Sequence, residues 1–154
     1  MMLVWRDALL SYAHLLAILS WTVFFASLAA LARPEWLNAA VLQRLVVVQR
    51  IAWWAGWLTV ASGLLRLHWG TQPPLWYLAQ PLLWGKVLLV GLMLAGLWRC
   101  GRVLRGWQAT HQAGGALPDG PAVLALRKQV MRASHLMLVP PLLAVLLTRG
   151  VLVL

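Results

Sequence analysis

The chain contains four long apolar stretches, separated by short polar segments that are rich in glycine and proline. These stretches cover residues 8–32, 45–69, 82–106 and 130–154. Each is long enough to cross a bilayer, because about 20 helical residues at ~1.5 Å rise span the ~30 Å hydrocarbon core. The pattern predicts an all-α fold: an integral membrane four-helix bundle, built as a single domain over residues 1–154, with a polar loop over 107–129.

The composition excludes several classes of chemistry. Charged residues make up 10% of the chain, whereas a soluble domain has about 25%. The carboxylates are Asp7, Glu35 and Asp119, and none lies within a predicted span. Paired-carboxylate acid/base catalysis and carboxylate-bound metals therefore have little support. Cys100 is the single cysteine, which excludes a disulfide framework and a thiolate zinc site within one chain.

The distribution of basic residues predicts the orientation in the membrane. Nine of the 13 lysines and arginines lie in or beside the loops after the first and third spans: Arg33, Arg44, Arg50, Arg99, Arg102, Arg105, Arg127, Lys128 and Arg132. The positive-inside rule then puts both termini on the periplasmic side of a bacterial inner membrane, and the 107–129 loop in the cytoplasm. We expect the net charge of +10 to face anionic lipid rather than nucleic acid.

Small and polar residues predict how the helices meet. One face of the second span carries Gln49, Ala52, Gly56, Thr59, Gly63 and Arg66. This face is expected to point inward, because lipid disfavours polar groups and a neighbouring helix accepts small residues. In the third span, Gly91 and Ala95 form a small-xxx-small pair that favours close helix approach. In the fourth span, Pro140 and Pro141 predict a kink, because proline lacks an amide donor.

Ionisable side chains in the outer half of the predicted bundle are the functional candidates: His14, Arg66, His68, Lys86 and Arg149. Ionisable groups inside a membrane indicate function by default, although long cationic side chains near helix ends also reach out to water. Asp7 is the only carboxylate on that side. The pattern suggests a ligand site with His14 as its imidazole and with the cations holding anionic groups.

Several ligands fit this pattern. Haem b fits with His14 as the axial ligand of the iron and with the propionates on the cations. A quinone or a phospholipid headgroup fits almost equally. In the alternative interpretation, Arg66, Lys86 and Arg149 are interfacial anchors, and His14 is hydrogen-bonded to a neighbouring helix. His135, near the opposite end, is expected to be hydrogen-bonded at a helix end.

Short motifs along nearly the whole chain add a resemblance. They are His14, Arg33-Pro34, Gly63-Leu64-Leu65-Arg66, Tyr77, Gln80-Pro81, Trp84-Gly85-Lys86, Pro141-Leu142-Leu143 and Thr148-Arg149-Gly150. In this order they resemble a family of small bacterial membrane proteins known only as a domain of unknown function. More remotely, His14 with Trp84-x-Lys86 is similar to HemJ-type protoporphyrinogen oxidases and CopD-type copper proteins. The HemJ resemblance implies haem b and porphyrinogen oxidation, without the further histidine that those enzymes carry in their third span.

Two classes of function remain. In the first, the protein is a redox component that binds haem b or a quinone in the outer half of the bundle. In the second, it is a non-enzymatic accessory or scaffold subunit, whose 11 tryptophans pack against lipid and protein. A copper site is a weaker third interpretation, since His14, His68 and Met93 are few and dispersed. In each case we expect a homo-oligomer or a subunit of a larger membrane complex.

Overall fold

The computed structural model describes residues 2–70 and 72–149, with side chains over 5–70, 72–147 and 149. Six α-helices and one short 3-10 helix, Pro34–Trp36, form the described chain. The α-helices are α1 (Met2–Leu31), α2 (Ala39–Trp69), α3 (Pro74–Leu78), α4 (Pro81–Gln112), α5 (Gly120–Leu136) and α6 (Val139–Thr148). Residues 150–154 of the predicted fourth span lie outside the described part.

Four helical segments are long and apolar enough to cross a membrane: Trp5–Leu31, Ala39–Trp69, Pro81–Gln112 and Gly120–Leu147. The predicted all-α four-helix membrane fold is therefore confirmed. Large apolar side chains stay exposed on the outer faces, for example Leu9, Trp54, Leu88 and Val145. Such a surface is stable only in contact with lipid or another apolar partner. The protein is thus a multi-pass membrane protein in contact with the bilayer.

The helices extend beyond the predicted spans at the arginine-rich end. Asn38 starts α2, because its side chain accepts a hydrogen bond from the Val41 amide at 2.9 Å. Asp119 starts α5 in the same way, through the Ala122 amide at 3.0 Å. The connection between α4 and α5 covers residues 113–119, a shorter segment than the predicted 107–129 loop. Gly114, with φ of 84°, allows the chain to turn there.

The predicted kink in the fourth span is a two-residue interruption between α5 and α6, at Met137 and Leu138. The Met137 amide donates to the Ser134 carbonyl and the Leu138 amide to the His135 carbonyl, which is the tighter 3-10 pattern. Pro140 and Pro141 have no amide to continue the α-helical pattern across this turn. The two proline residues therefore end one helix and start another.

The core lies where α1, α2, α4 and α5 meet. α1 packs along α2, α2 and α5 pack against α4, and α6 covers α4 beyond the break. The core side chains include Trp21, Phe25, Leu28, Leu42, Leu45, Ala52, Met93, Leu97, Leu104, Leu126 and Val130. Gly56 permits a close approach of three helices, since a Cβ there would lie 2.9 Å from Trp21 Cε2 and 2.8 Å from Leu94 Cδ2. The absence of a side chain at Gly56 thus allows α1 and α4 to pack closely against α2.

The two small-residue predictions had different outcomes. On α2, the inward face is confirmed, because Gln49, Ala52, Gly56 and Thr59 are buried. On α4, the prediction for Gly91 and Ala95 is wrong within one chain. Both are exposed, and a Cβ on Gly91 would meet no atom within 4 Å. The reason is that the larger residues Met93, Leu97, Cys100 and Leu104 form the face of α4 that is buried.

Gly56→Ala is expected to destabilise the bundle, because its new methyl group overlaps Trp21 and Leu94. Overpacking of this kind costs about 1–3 kcal/mol. Gly106→Ala is the matched control on α4, where an added Cβ meets no atom within 4 Å and alanine is the better helix former by ~1 kcal/mol. Thermal unfolding in detergent measures both. An apparent Tm of Gly56→Ala equal to or above that of the control contradicts the packing described here.

Candidate functional site

His14 lies on the face of α1 that contacts α2. Its ring is partly buried, and its Nδ1 lies 2.8 Å from the hydroxyl oxygen of Ser62. Gly63 leaves room for the imidazole, since a Cβ at that position would lie 3.3 Å from His14 Cε1. Ser62 and Gly63, near the end of α2, therefore allow the His14 ring to pack directly against that helix.

The hydrogen bonds of Ser62 indicate which nitrogen of His14 carries the proton. The Ser62 hydroxyl oxygen lies 2.8 Å from the Leu58 carbonyl oxygen and 3.1 Å from that of Thr59. A carbonyl only accepts, so the single hydroxyl proton is donated to the backbone. The hydroxyl oxygen then accepts from Nδ1–H of a neutral His14. In this tautomer Nε2 carries the lone pair with which a neutral imidazole binds a metal ion or accepts from a donor group.

Two cations lie near this histidine. Arg66 on α2 and Lys86 on α4 are both partly buried, and both interact electrostatically with His14. They also interact with each other. Among the described residues, neither forms an ion pair with a carboxylate. Unpaired cations in a low-dielectric layer are unfavourable, so this cluster of His14, Arg66 and Lys86 favours an anionic partner.

The structure keeps the other two predicted site residues at the surface. His68 is exposed, with its ring 5.7 Å from that of Trp69. Arg149 is also exposed and follows the last turn of α6. Their assignment to the same site remains a prediction. His14, Arg66 and Lys86, from α1, α2 and α4, lie within the range of electrostatic interaction with one another.

Ser62 is the residue of the candidate site that sequence reasoning missed. It lies one turn before Arg66 and beside Gly63 on the polar face of α2, which was the available sequence evidence. Its role depends on the position of His14 on another helix, and a single helix face does not reveal that. Arg6 also contributes at this end, because its guanidinium donates to the Trp69 carbonyl at 3.3 Å and joins the start of α1 to the end of α2.

A second feature of the interior is the indole of Trp21. It lies two turns after His14 on α1 and is 2% exposed. Its Nε1 is buried, and no described group accepts its proton. An unsatisfied donor in a membrane interior costs free energy. The interface between α1 and α2 thus contains an unused donor as well as an unused lone pair.

His135 and the possible metal ligands remain to be placed in the structure. His135 is exposed, and its Nδ1 lies 2.7 Å from the Met131 carbonyl oxygen, which confirms its hydrogen bond at a helix end. The described residues contain no group of three or more His, Cys, Asp or Glu side chains that could hold a metal ion. A metal at His14 would therefore need most of its ligands from a cofactor.

Comparison with known protein families agrees with the membrane fold. A family profile described as "Predicted membrane protein (DUF2214)" matches residues 6–152. The chain therefore belongs to this family, which confirms the resemblance to membrane proteins known only as a domain of unknown function. No curated protein and no solved structure matches the chain significantly. The resemblance to HemJ-type and CopD-type proteins accordingly stays an expectation.

In the neutral imidazole of His14 we expect a protonated Nδ1 and an unprotonated Nε2. Nitrogen-15 NMR of labelled histidine in nanodiscs at about pH 8, above the ordinary histidine pKa, distinguishes the two tautomers. Ser62→Ala removes the acceptor and is expected to abolish the preference. Ser27→Ala, which removes a hydroxyl bonded to the Val23 carbonyl, is the control. Protonation at Nε2 in the unmodified protein would contradict this assignment.

Proposed function

We propose that this member of the DUF2214 family is a redox component of the bacterial inner membrane that binds haem b in the outer half of its bundle. The observation that carries the proposal is the hydrogen bond between His14 and Ser62. It leaves Nε2 of His14 available beside two cations that have no carboxylate partner among the described residues. The positive-inside rule supports a periplasmic position for this end of the bundle.

The donor set is suited to haem b. A histidine that ligates a metal almost always donates its other ring N–H to an oxygen atom, which orients the ring. Nδ1 of His14 has such a partner in Ser62, so Nε2 would ligate the iron. Arg66 and Lys86 would hold the two propionates through charge-assisted hydrogen bonds. Bound haem would supply one-electron chemistry, and the surrounding residues tune its potential.

A quinone is the second ligand that the same cluster favours. A quinone carbonyl needs a hydrogen-bond donor, which Lys86 or Arg66 provides, and a quinol hydroxyl needs an acceptor, which Nε2 of His14 provides. Such a ligand would make the protein a site of quinone reduction or quinol oxidation. Haem and quinone differ in their visible spectra and in the molecules that solvent extraction recovers.

The first test is the visible spectrum of the protein purified from cells supplied with haem precursor. We expect a Soret band that shifts on reduction with dithionite, and its loss in His14→Ala. His135→Ala is the matched control, because His135 is exposed and bonded within its own helix, and it should keep the band. A colourless protein whose extract contains quinone would assign the site to quinone instead. A Soret band that survives in His14→Ala would overturn the proposed ligand.

The roles of Arg66 and Lys86 are tested by measuring haem retention in variants that are purified in the same way. Arg66→Gln and Lys86→Gln are expected to weaken haem retention while leaving the type of spectrum unchanged, because they hold carboxylates rather than iron. Helical circular dichroism identifies variants that keep the bundle intact. An unchanged haem affinity in the double variant would contradict the role of these side chains.

A non-enzymatic scaffold subunit is the second candidate function. The observation that favours it is the outward position of Gly91 and Ala95 on α4, a small-xxx-small pair that supports close contact with another helix. The occupant we propose is a second copy of the chain. Gly91→Leu is expected to reduce cross-linked dimers in nanodiscs, whereas Gly106→Leu, near the end of the same helix, is not. Equal cross-linking of both variants would argue against this interface.

A further inference from the structure

At the arginine-rich end of the bundle, a cavity of about 170 Å³ lies between α2 and α4. Its lining consists of Gln49, Arg50 and Trp53 from α2, and of Trp98 and Arg105 from α4. This cavity is distinct from the His14 cluster, because it lies at the other end of both helices. Its walls are formed by two guanidinium groups, two indoles and one buried carboxamide.

The edge of the cavity at Gln49 and Arg105 reaches the level of lipid headgroups, whereas Trp53 and Trp98 lie deeper. Gln49 precedes Trp69 by about 20 residues, and Arg105 follows Trp84 by a similar number. At ~1.5 Å per residue, this separation is about 30 Å, the thickness of the hydrocarbon core. Trp69 and Trp84 are exposed indoles, which prefer the membrane interface. We take these two indoles to mark one membrane interface, which puts the arginine side of the cavity at the opposite interface.

The floor of the cavity is the buried carboxamide of Gln49, which packing holds in place. Gln49 is 4% exposed, and its Nε2 donates to the Leu97 carbonyl across the interface at 3.2 Å. Gly101 makes this possible, because a Cβ there would overlap the carboxamide. A buried amide held in one orientation offers defined hydrogen-bonding groups to a ligand.

The charge of the cavity is strongly positive. Arg50 and Arg105 form no ion pair among the described residues. Of the carboxylates at this end, Asp119 caps α5, and Glu35 is exposed within the 3-10 helix. Arg102 adds a further cation, since its guanidinium lies 5.1 Å from the ring centre of Trp98. Two guanidiniums around one cavity favour an oxyanion with several acceptors, and a phosphate group has this character.

From these observations we propose that the cavity binds the phosphate of an anionic phospholipid headgroup. Arg50 and Arg105 donate to its oxygens, and Gln49 forms the floor. Trp53 and Trp98 form walls whose apolar faces suit the glycerol region. A lipid, rather than soluble phosphate, is the source because the cavity lies at headgroup depth between two membrane-spanning helices.

The test compares binding of phosphatidylglycerol and phosphatidylcholine with identical acyl chains, measured by native mass spectrometry in detergent. Phosphatidylglycerol is expected to bind more tightly. Arg50→Gln combined with Arg105→Gln should weaken it about tenfold, since two charge-assisted hydrogen bonds are lost. Arg44→Gln combined with Arg99→Gln removes the same charge from the same two helices outside the cavity, and should change affinity much less, because salt screens charges that do not contact the phosphate.

Equal losses in the two double variants would reduce the effect to general electrostatic attraction and overturn the proposal. Equal binding of the two lipids would do the same. Release of phosphatidylglycerol by millimolar inorganic phosphate, but not by chloride at equal ionic strength, would overturn the lipid as the source and assign the site to soluble phosphate. If the double variant loses its helical circular dichroism, the two single variants provide the comparison, each with a smaller expected loss.

Discussion

The requirement that polar groups in a membrane interior find partners within the protein governs this structure. The helices satisfy their own backbones, and the few buried polar side chains bond to backbone carbonyls. Gln49 bonds to Leu97 across helices, Ser62 bonds to its own helix, and Gln129 bonds to Gly96. The groups that have no such partner among the described residues, such as Arg66, Lys86 and the indole N–H of Trp21, are therefore candidates for ligand binding.

Close helix approach makes these contacts possible. Gly56 lets Trp21 and Leu94 approach α2, Gly63 admits the ring of His14, and Gly101 admits the carboxamide of Gln49. Each glycine lies where a polar or aromatic side chain from another helix occupies the space of a missing Cβ. The small residues therefore serve the two candidate sites as well as helix packing.

The two ends of the bundle differ in chemistry. At one end, an imidazole and two cations are held by α1, α2 and α4, and this cluster supports a haem or quinone proposal. At the other end, arginines and tryptophans surround a cavity at headgroup depth. The same two helices, α2 and α4, contribute to both sites, so a ligand at one end and a lipid at the other would both stabilise their contact.

Much of the fold was predictable from the sequence, because hydrophobic length and proline position act locally. Apolar stretches of sufficient length predicted four spans, and Pro140 with Pro141 predicted the interruption of the last one. The polar face of α2 was also predictable, since side-chain spacing along one helix determines which residues share a face. The prediction for Gly91 and Ala95 was wrong within one chain, because spacing does not tell which face of α4 meets a neighbouring helix of that chain.

The candidate site was only partly predictable for the same reason. His14, Arg66 and Lys86 stood out as ionisable residues in apolar segments, a property of composition and position. Their proximity, the hydrogen bond from His14 to Ser62 and the cavity beside Gln49 depend on how α1, α2 and α4 pack. The sequence by itself determined the membrane class, the spans and the small set of groups that are costly in lipid. Only the tertiary structure decided which of these groups meet, because distances between helices are set by packing rather than by order along the chain.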